Sequence, residues 1–230
     1  MVRLSERMKM IAGLVPKMAH VADIGCDHAY LSIYLMQEKK AASVIAMDVN
    51  EGPLSIAREH IKEAGLESYI QVRLSDGAKE LLEGEADTFV IAGMGGRLIL
   101  KILEECRFLS EIRWLVLQPQ SEIPMVRCFL AQNGYEIKEE SMVCEDGKYY
   151  TAILARQRED YRFYPVYERF GKTLLESRNP VLKEYLLAQE RKQGTIIRDI
   201  ERQGKDSHQE LLGKLYKEME YIHLALSYFS

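Results

Sequence analysis

At 230 residues and 47% hydrophobic content, the chain can bury one full core and has length left for a small second unit. It has no run of 18 apolar residues, and charges interrupt the N-terminal MVRLSERMKMIAGL, so a soluble, cytoplasmic protein with no membrane partner is predicted. The net charge of −4 argues mildly against a nucleic-acid protein, and the four dispersed cysteines (Cys26, Cys106, Cys128, Cys144) and scattered histidines give no case for a metal.

Residues 20 to 157 alternate short β-branched runs with helical stretches. HVADIG (20–25), SVIAMD (43–48), YIQVRL (69–74), DTFVIAG (87–93) and RWLVLQP (113–119) are the predicted strands, apolar on both faces as a buried parallel sheet requires. Amphipathic segments at 29–39, 53–64, 78–83, 97–106 and 122–132 are the predicted helices. This alternation implies βαβ units and a doubly wound sheet with right-handed crossovers. After Gly134, YEIKEESMVCEDGKYYTAILARQ reads as two strands around Asp146-Gly147, a strong hairpin-turn signal. Five parallel strands followed by a hairpin is the element order of a Rossmann-like α/β class I methyltransferase, with a seven-stranded, mainly parallel sheet.

Residues 158–179 form a Tyr-rich connection punctuated by Pro165 and Gly171. Leu182, Leu186, Ile196, Ile197 and Ile200 lie at helical spacing in 180–203, as do Leu211, Leu212, Leu215, Met219, Ile222 and Leu226 in 207–228. Between them, Gly204 and the capping candidate Ser207 suit an antiparallel, coiled-coil-like helical hairpin. The predicted domains are therefore 1–157 and a C-terminal helical hairpin, 158–230. The same apolar stripes would serve an intramolecular hairpin or a second copy, so a monomer or weak dimer is expected. Residues 1–155 hold 17 Lys+Arg against 23 Asp+Glu, and residues 156–230 hold 14 against 12, which makes the tail relatively basic.

The residues that can carry chemistry cluster at the strand ends. Asp23-Ile24-Gly25-Cys26-Asp27-His28-Ala29 follows the first strand. A pyrophosphate turn places its second glycine where Asp27 stands, and a carboxylate there would repel a dianion. A ligand without phosphate and with an ammonium to satisfy, such as S-adenosylmethionine, fits better. The structural alternative is that Asp27 caps a helix over 28–39. Asp48, ending the second strand, can accept from both ribose hydroxyls of an adenosine, or cap a helix over 51–64. Asp76 can accept from an adenine amine while Gly77 lets the loop approach the ring, or the pair can form a turn and cap. Ala92-Gly93-Met94-Gly95-Gly96 puts three glycines at the carboxyl end of a central strand, where open α/β sheets bind ligands.

Together DIGCDHAYL, the acid of AMDVN, LSDGA, IAGMGG and the QPQ after strand five resemble the bacterial tRNA (adenine(22)-N1)-methyltransferase family, and GKYYTAILA and FGKTLLES extend the match over essentially the whole chain. The resemblance implies S-adenosyl-L-methionine as cofactor and a C-terminal helical hairpin that helps hold tRNA. It implies a cofactor site of Gly25, Asp27, His28, Asp48, Asp76, Gly77, Gly93 and Met94, to which Asp23 and Gly95 are added from the same two loops. Asp27 and Ala29 depart from the commoner three-glycine methyltransferase fingerprint, a departure that belongs to this family's own pattern.

Adenine N1 carries a neutral lone pair, so the transfer needs in-line placement more than a strong base. Backbone carbonyls at Ala92 and Gly93 are candidates to accept from the target amine, with Met94 as an apolar wall and Asp27 and His28 at the same mouth. Tyr30 is assigned to stacking, and Gln118 and Gln120 to hydrogen bonds with the substrate. Arg3, Arg7 and Lys9 on a first helix, Arg97 beside the glycine loop, and Arg191, Lys192 and Arg198 on the hairpin are available to tRNA phosphates. Two other readings stay open: a methyltransferase acting on another RNA or a small molecule, and a non-catalytic RNA-binding scaffold.

Overall fold

The computed structural model describes residues 2–158, 165–203 and 209–230, and the chain divides into two compact units, Met1–Phe163 and Tyr164–Ser230. The first unit runs α1 (Glu6–Leu14), β1 (Ala19–Ile24), α2 (Tyr30–Gln37), β2 (Ala41–Asp48), α3 (Glu51–Glu63), β3 (Ile70–Leu74), β4 (Thr88–Met94), α4 (Gly96–Glu105), β5 (Trp114–Pro119), α5 (Ile123–Gln132), β6 (Tyr135–Glu145) and β7 (Lys148–Gln157). The sheet order is β3-β2-β1-β4-β5-β7-β6; β1 to β5 run parallel, and β7 is antiparallel to both its neighbours.

Successive residues of the central strands face opposite layers, which is why the strands read as continuous apolar runs. Ala22, Ile24, Phe89, Ile91, Leu115 and Leu117 pack with Ile99 and Leu103 of α4 and Leu130 of α5. Val21, Val44, Ala46, Val90 and Val116 pack with Ile11 of α1, Leu35 of α2 and Leu54 of α3. Strand order reverses at β1, which lies between β2 and β4, so the crevice outside the ends of these strands is the topological switch point.

Two segments depart from expectation. Residues 78–83 form turns and no helix. Gly77 and Gly84, with φ of 64° and 83°, leave too few residues between them to repay helix nucleation. Side chains take the backbone groups instead: Ser75 Oγ accepts from Glu80 N (3.2 Å), Glu85 Oε2 from Leu82 N (2.8 Å), and Arg73 Nη1 donates to Glu80 O (2.7 Å). Arg3 precedes α1, whose first free amides are capped by Ser5.

In the second unit, part of the expected connection is helical: α6 (Pro165–Phe170) and α7 (Lys172–Glu176) flank Gly171, whose φ of 84° breaks them apart. Asn179 Oδ1 accepts from Val181 N and Leu182 N (3.0 and 3.1 Å), capping α8 (Pro180–Gln203), where Pro180 occupies the first turn. Helix α9 (Gln209–Leu226) runs antiparallel to α8, with His223 against Glu190 and Tyr216 against Glu201. Leu182, Leu186, Ile197 and Ile222 are buried, whereas Leu211 is exposed. The proposed caps at Gly204 and Ser207 lie outside the described residues.

Among the described residues, one ion pair is fully buried. Arg127 Nε of α5 donates to Glu140 Oε1 of β6 at 2.7 Å, next to an irregularity in the β6–β7 register between Ile137 and Glu139. Removing one partner strands a charge, whereas replacing both with apolar residues does not. Arg127→Ala is expected to lower the urea-unfolding free energy by about 3–5 kcal/mol, and the Arg127→Met/Glu140→Leu double variant to recover most of that loss.

Candidate active site

At the switch point the chain leaves β1 in a tight, non-helical turn. Gly25 N and Cys26 N both donate to Met47 O of β2, at 2.8 and 2.9 Å. The backbone is left-handed at Gly25 (77°), Asp27 (53°) and Ala29 (60°), so α2 begins only at Tyr30. Asp tolerates this conformation better than Ala; the buried Ala29 is held there by donating to Cys26 O at 2.9 Å and accepting from Ile33 N at 2.9 Å. Asp27 therefore does not cap α2.

The strand-end acids sit in distinct environments. Asp48 Oδ1 accepts from Asn50 N at 2.9 Å and Oδ2 from Asp27 N at 3.3 Å, so this carboxylate ties the β1 turn to β2 and does not cap α3. Asp23 is buried, and Ser32 Oγ donates to its Oδ2 at 2.6 Å. Burial pushes the Asp23 carboxyl up to about 6; the Ser32 hydrogen bond opposes the shift and the nearby Asp48 charge adds to it. Asp76 is exposed and paired with Lys79, whose hydrogen bond and charge hold its carboxyl below the usual range; Lys79 also reaches Glu105 at 3.2 Å. Gly77 is left-handed, and a Cβ there would lie 3.1 Å from Ile102 of α4.

The three glycines at the β4–α4 junction have three separate causes. Gly93, with φ 76°, forms an irregularity in the β4–β5 register and donates to Gln118 Oε1 at 3.2 Å. Gly95 caps α4, and a Cβ on it would sit 3.2 Å from Ser121 Oγ. At Gly96 a Cβ would meet the Ser121 carbonyl at 2.5 Å. Met94 turns across to β1, so that a Cβ at Gly25 would lie 2.1 Å from Met94 Cε.

These loops enclose a cavity of about 490 Å³, within the range of small-molecule sites. Asp23, Gly25, Asp27, Asp48, Asp76, Gly77, Gly93 and Met94 all line it. Four of these are carboxylates, and among the described residues Arg7 is the one cationic side chain on the wall. The cavity thus favours a cationic ligand over a phosphorylated one.

Five expected site residues lie elsewhere. His28 does not line the cavity; its Nε2 is 3.5 Å from Asp27 Oδ1, its Nδ1 is buried without a partner, and its carbonyl accepts from His60 Nδ1 at 3.1 Å. Tyr30 stacks on His60 (centroids 4.8 Å apart, 28° between planes) over a separate shallow hollow with Val2 and Gln37. The left-handed steps at Asp27 and Ala29 interrupt the helical path on either side of His28 and before Tyr30, and neither side chain reaches the cavity. Gly95 faces Ser121, and the exposed Arg97 lies 3.6 Å from Glu122. Gln118 is 0% exposed, so it serves as an internal bracket and offers no group to a substrate.

That bracket holds Arg7. Gln118 Oε1 accepts from Arg7 Nη1 at 2.9 Å as well as from Gly93 N, and the guanidinium lies over the Tyr150 ring, Cζ 5.4 Å from its centroid. Gln120, expected beside Gln118, does line the cavity. Several other lining residues were not anticipated, among them Val49 and Leu98, whose apolar side chains are 59% and 48% exposed, and Ile102. Exposed apolar residues at a strand end and a first helical turn were the available signal.

Among the described residues no helix is long and apolar enough to cross a membrane, and no group of three or more His, Cys, Asp or Glu could hold a metal. Residues 4–153 match the family model of a methyltransferase domain. The chain is 40% identical over 154 residues to the tRNA (adenine(22)-N(1))-methyltransferase of Bacillus subtilis, an alignment spanning 66% of this chain and 65% of that protein, a little under two-thirds of its length. The crystal structure of the B. subtilis m1A22 tRNA methyltransferase TrmK aligns over 98% of this chain and 100% of that one, with 30% identity and a TM-score of 0.87. A Streptococcus pneumoniae protein solved in complex with S-adenosyl-L-methionine aligns over 97% and 100%, with 31% identity and a TM-score of 0.85.

Asp23 generates a testable pH dependence. Its carboxyl binds a proton more tightly in the folded chain than in the unfolded one. The fold is therefore penalised as pH rises from about 4, and fully so above about 6. Asp23→Asn, which keeps an acceptor for Ser32, is expected to raise the unfolding free energy by up to about 3 kcal/mol at neutral pH and to leave it unchanged near about pH 3.5; denaturant unfolding across that range checks it.

Proposed function

Since the chain belongs to the tRNA (adenine(22)-N1)-methyltransferase family, we propose that it transfers the methyl group of S-adenosyl-L-methionine to N1 of adenine 22 in tRNA. The observation that carries this reading is the cavity at the switch point, walled by carboxylates at the ends of three neighbouring strands. The chemistry of the donor set fits the cofactor. Asp23 faces the ammonium end, with Ser32 already occupying one oxygen. Asp48 spends two lone pairs on Asn50 N and Asp27 N, and a carboxylate has about four, so acceptors are left for ribose hydroxyls. Val49, Leu98 and Ile102 offer apolar sides for a flat ring, with Asp76 in reach of its amine.

When bound, S-adenosyl-L-methionine supplies an electrophilic methyl group on a sulfonium. No side chain has to remove a proton for N1 to attack, so the protein's task is alignment, worth about 7–11 kcal/mol in favourable cases. Carbonyls at Ala92 and Gly93 accept from the target amine, and Met94 supplies an apolar wall. Asp27, exposed at the mouth, stabilises the positive charge that the ring gains. His28 acts indirectly, by setting the orientation of Asp27. The second unit holds tRNA through Arg191, Lys192 and Arg198 on α8, and the protein works in the cytoplasm as a monomer or weak dimer.

The decisive assay incubates the protein with S-adenosyl-L-methionine and transcribed tRNAs carrying adenine or guanine at position 22. Mass spectrometry is expected to find 1-methyladenosine only in the adenine transcript; equal methylation of both, or of neither, overturns the reading. Asp48→Ala is expected to weaken cofactor binding at least about tenfold by calorimetry, because it removes the ribose acceptor and releases the Asp27 turn.

A further inference from the structure

Arg7 differs from the other basic residues near the site. Lys9 pairs with Glu6 at 2.7 Å and Arg97 lies beside Glu122, both on the open surface where phosphates would be met. Arg7 is half-buried, lines the cavity, and directs its guanidinium to a neutral amide and an aromatic ring. Its main chain is fixed as well, because Arg7 N donates to Glu145 Oε1 at 3.1 Å.

Resting on the tRNA-adenine reading above, we propose that the Arg7 guanidinium, bracketed by Gln118 and backed by Tyr150, is the platform on which the target adenine stacks. Three features support a base-facing role. First, Gln118 Oε1 is shared between Arg7 Nη1 and Gly93 N, so one buried oxygen sets the distance from the guanidinium to the β4 irregularity. Second, the space beside Gly93 is bounded by Arg7 itself, since a Cβ there would sit 3.8 Å from Arg7 Nη1. A base whose amine is held at the Gly93 carbonyl therefore lies beside that guanidinium. Third, a planar cation over one aromatic face offers its opposite face to a second π-system. A phosphate contact asks only for charge; a stack asks for the plane, which lysine lacks. Gln118 and Tyr150 are positioning residues in this scheme, and of these three only Arg7 touches substrate.

The distinction is measurable with the full-length protein and an adenine-22 transcript. Arg7→Lys keeps the charge and loses the plane. It is expected to hold the S-adenosyl-L-methionine Kd within about twofold and the tRNA Kd and its salt slope near those of the unaltered protein, while the single-turnover rate at saturating tRNA falls about tenfold or more. Tyr150→Leu should reproduce the rate loss with the same two affinities intact, and Tyr150→Phe should restore most of it. A full single-turnover rate in Arg7→Lys, or a loss in Arg7→Ala that saturating tRNA abolishes together with one step of salt slope, makes Arg7 a phosphate contact and overturns the platform alone. Absence of adenine-22 methylation in the unaltered protein overturns the functional reading and the platform with it.

Discussion

The carbonyl oxygen of Met47 accepts two backbone hydrogen bonds, from Gly25 and Cys26, and the shape of the site descends from that sharing. With both amides spent on β2, the chain cannot turn directly from strand into helix. It takes left-handed steps at Asp27 and Ala29, and the first of these delivers the Asp27 amide to Asp48. The delayed start of α2 leaves its N-terminus without a side-chain cap, and the turn before it brings the Asp27 carboxylate to the cavity wall where a pyrophosphate site would bring bare backbone. A turn that looks like a dinucleotide loop short of glycines is thus a different device, which presents carboxylates in place of amides.

The parallel strands were legible because Val, Ile and Ala runs with no polar face suit a sheet covered on both sides, and the hairpin because Asp146-Gly147 imposes its turn. Residues 78–83 were not, since Ala78 and Leu81 have helical spacing while Ser75 and Glu85 claim the backbone amides. The helices at 165–176 escaped because Pro165 and Gly171 read as loop residues, although proline is at home in a first helical turn. In the site, acids at strand ends could be read from position alone. Side chains beyond the first left-handed step could not, because local periodicity fails there, and His28 and Tyr30 were misplaced for that reason. Gln118 and Gln120 were given a single role, and the end of β5 separates them: the first is still inside the sheet and buried, the second has left it and lines the cavity.

Charge is partitioned along the chain by task. The strand-end acids make the cavity hospitable to a sulfonium and an ammonium, and the same field would oppose a nucleic-acid backbone. The relatively basic balance lies instead in the tail that contains α8. Arg7 is the exception among the described residues of the cavity wall, and its guanidinium rests against a neutral amide and an aromatic ring.

The contact between Gly25 and Met94 bears on how such a site can change through descent. A side chain at position 25 would have to share space with the Met94 methyl group, 2.1 Å away, and also adopt a φ of 77°. A smaller residue at position 94 removes only the first obstacle. The Met94 methyl ends a flexible side chain and can swing aside, so the φ of 77° is the constraint that lasts. Position 94 can therefore vary while Gly25 stays, and among descendants of this fold the glycine should be the last of the pair to go.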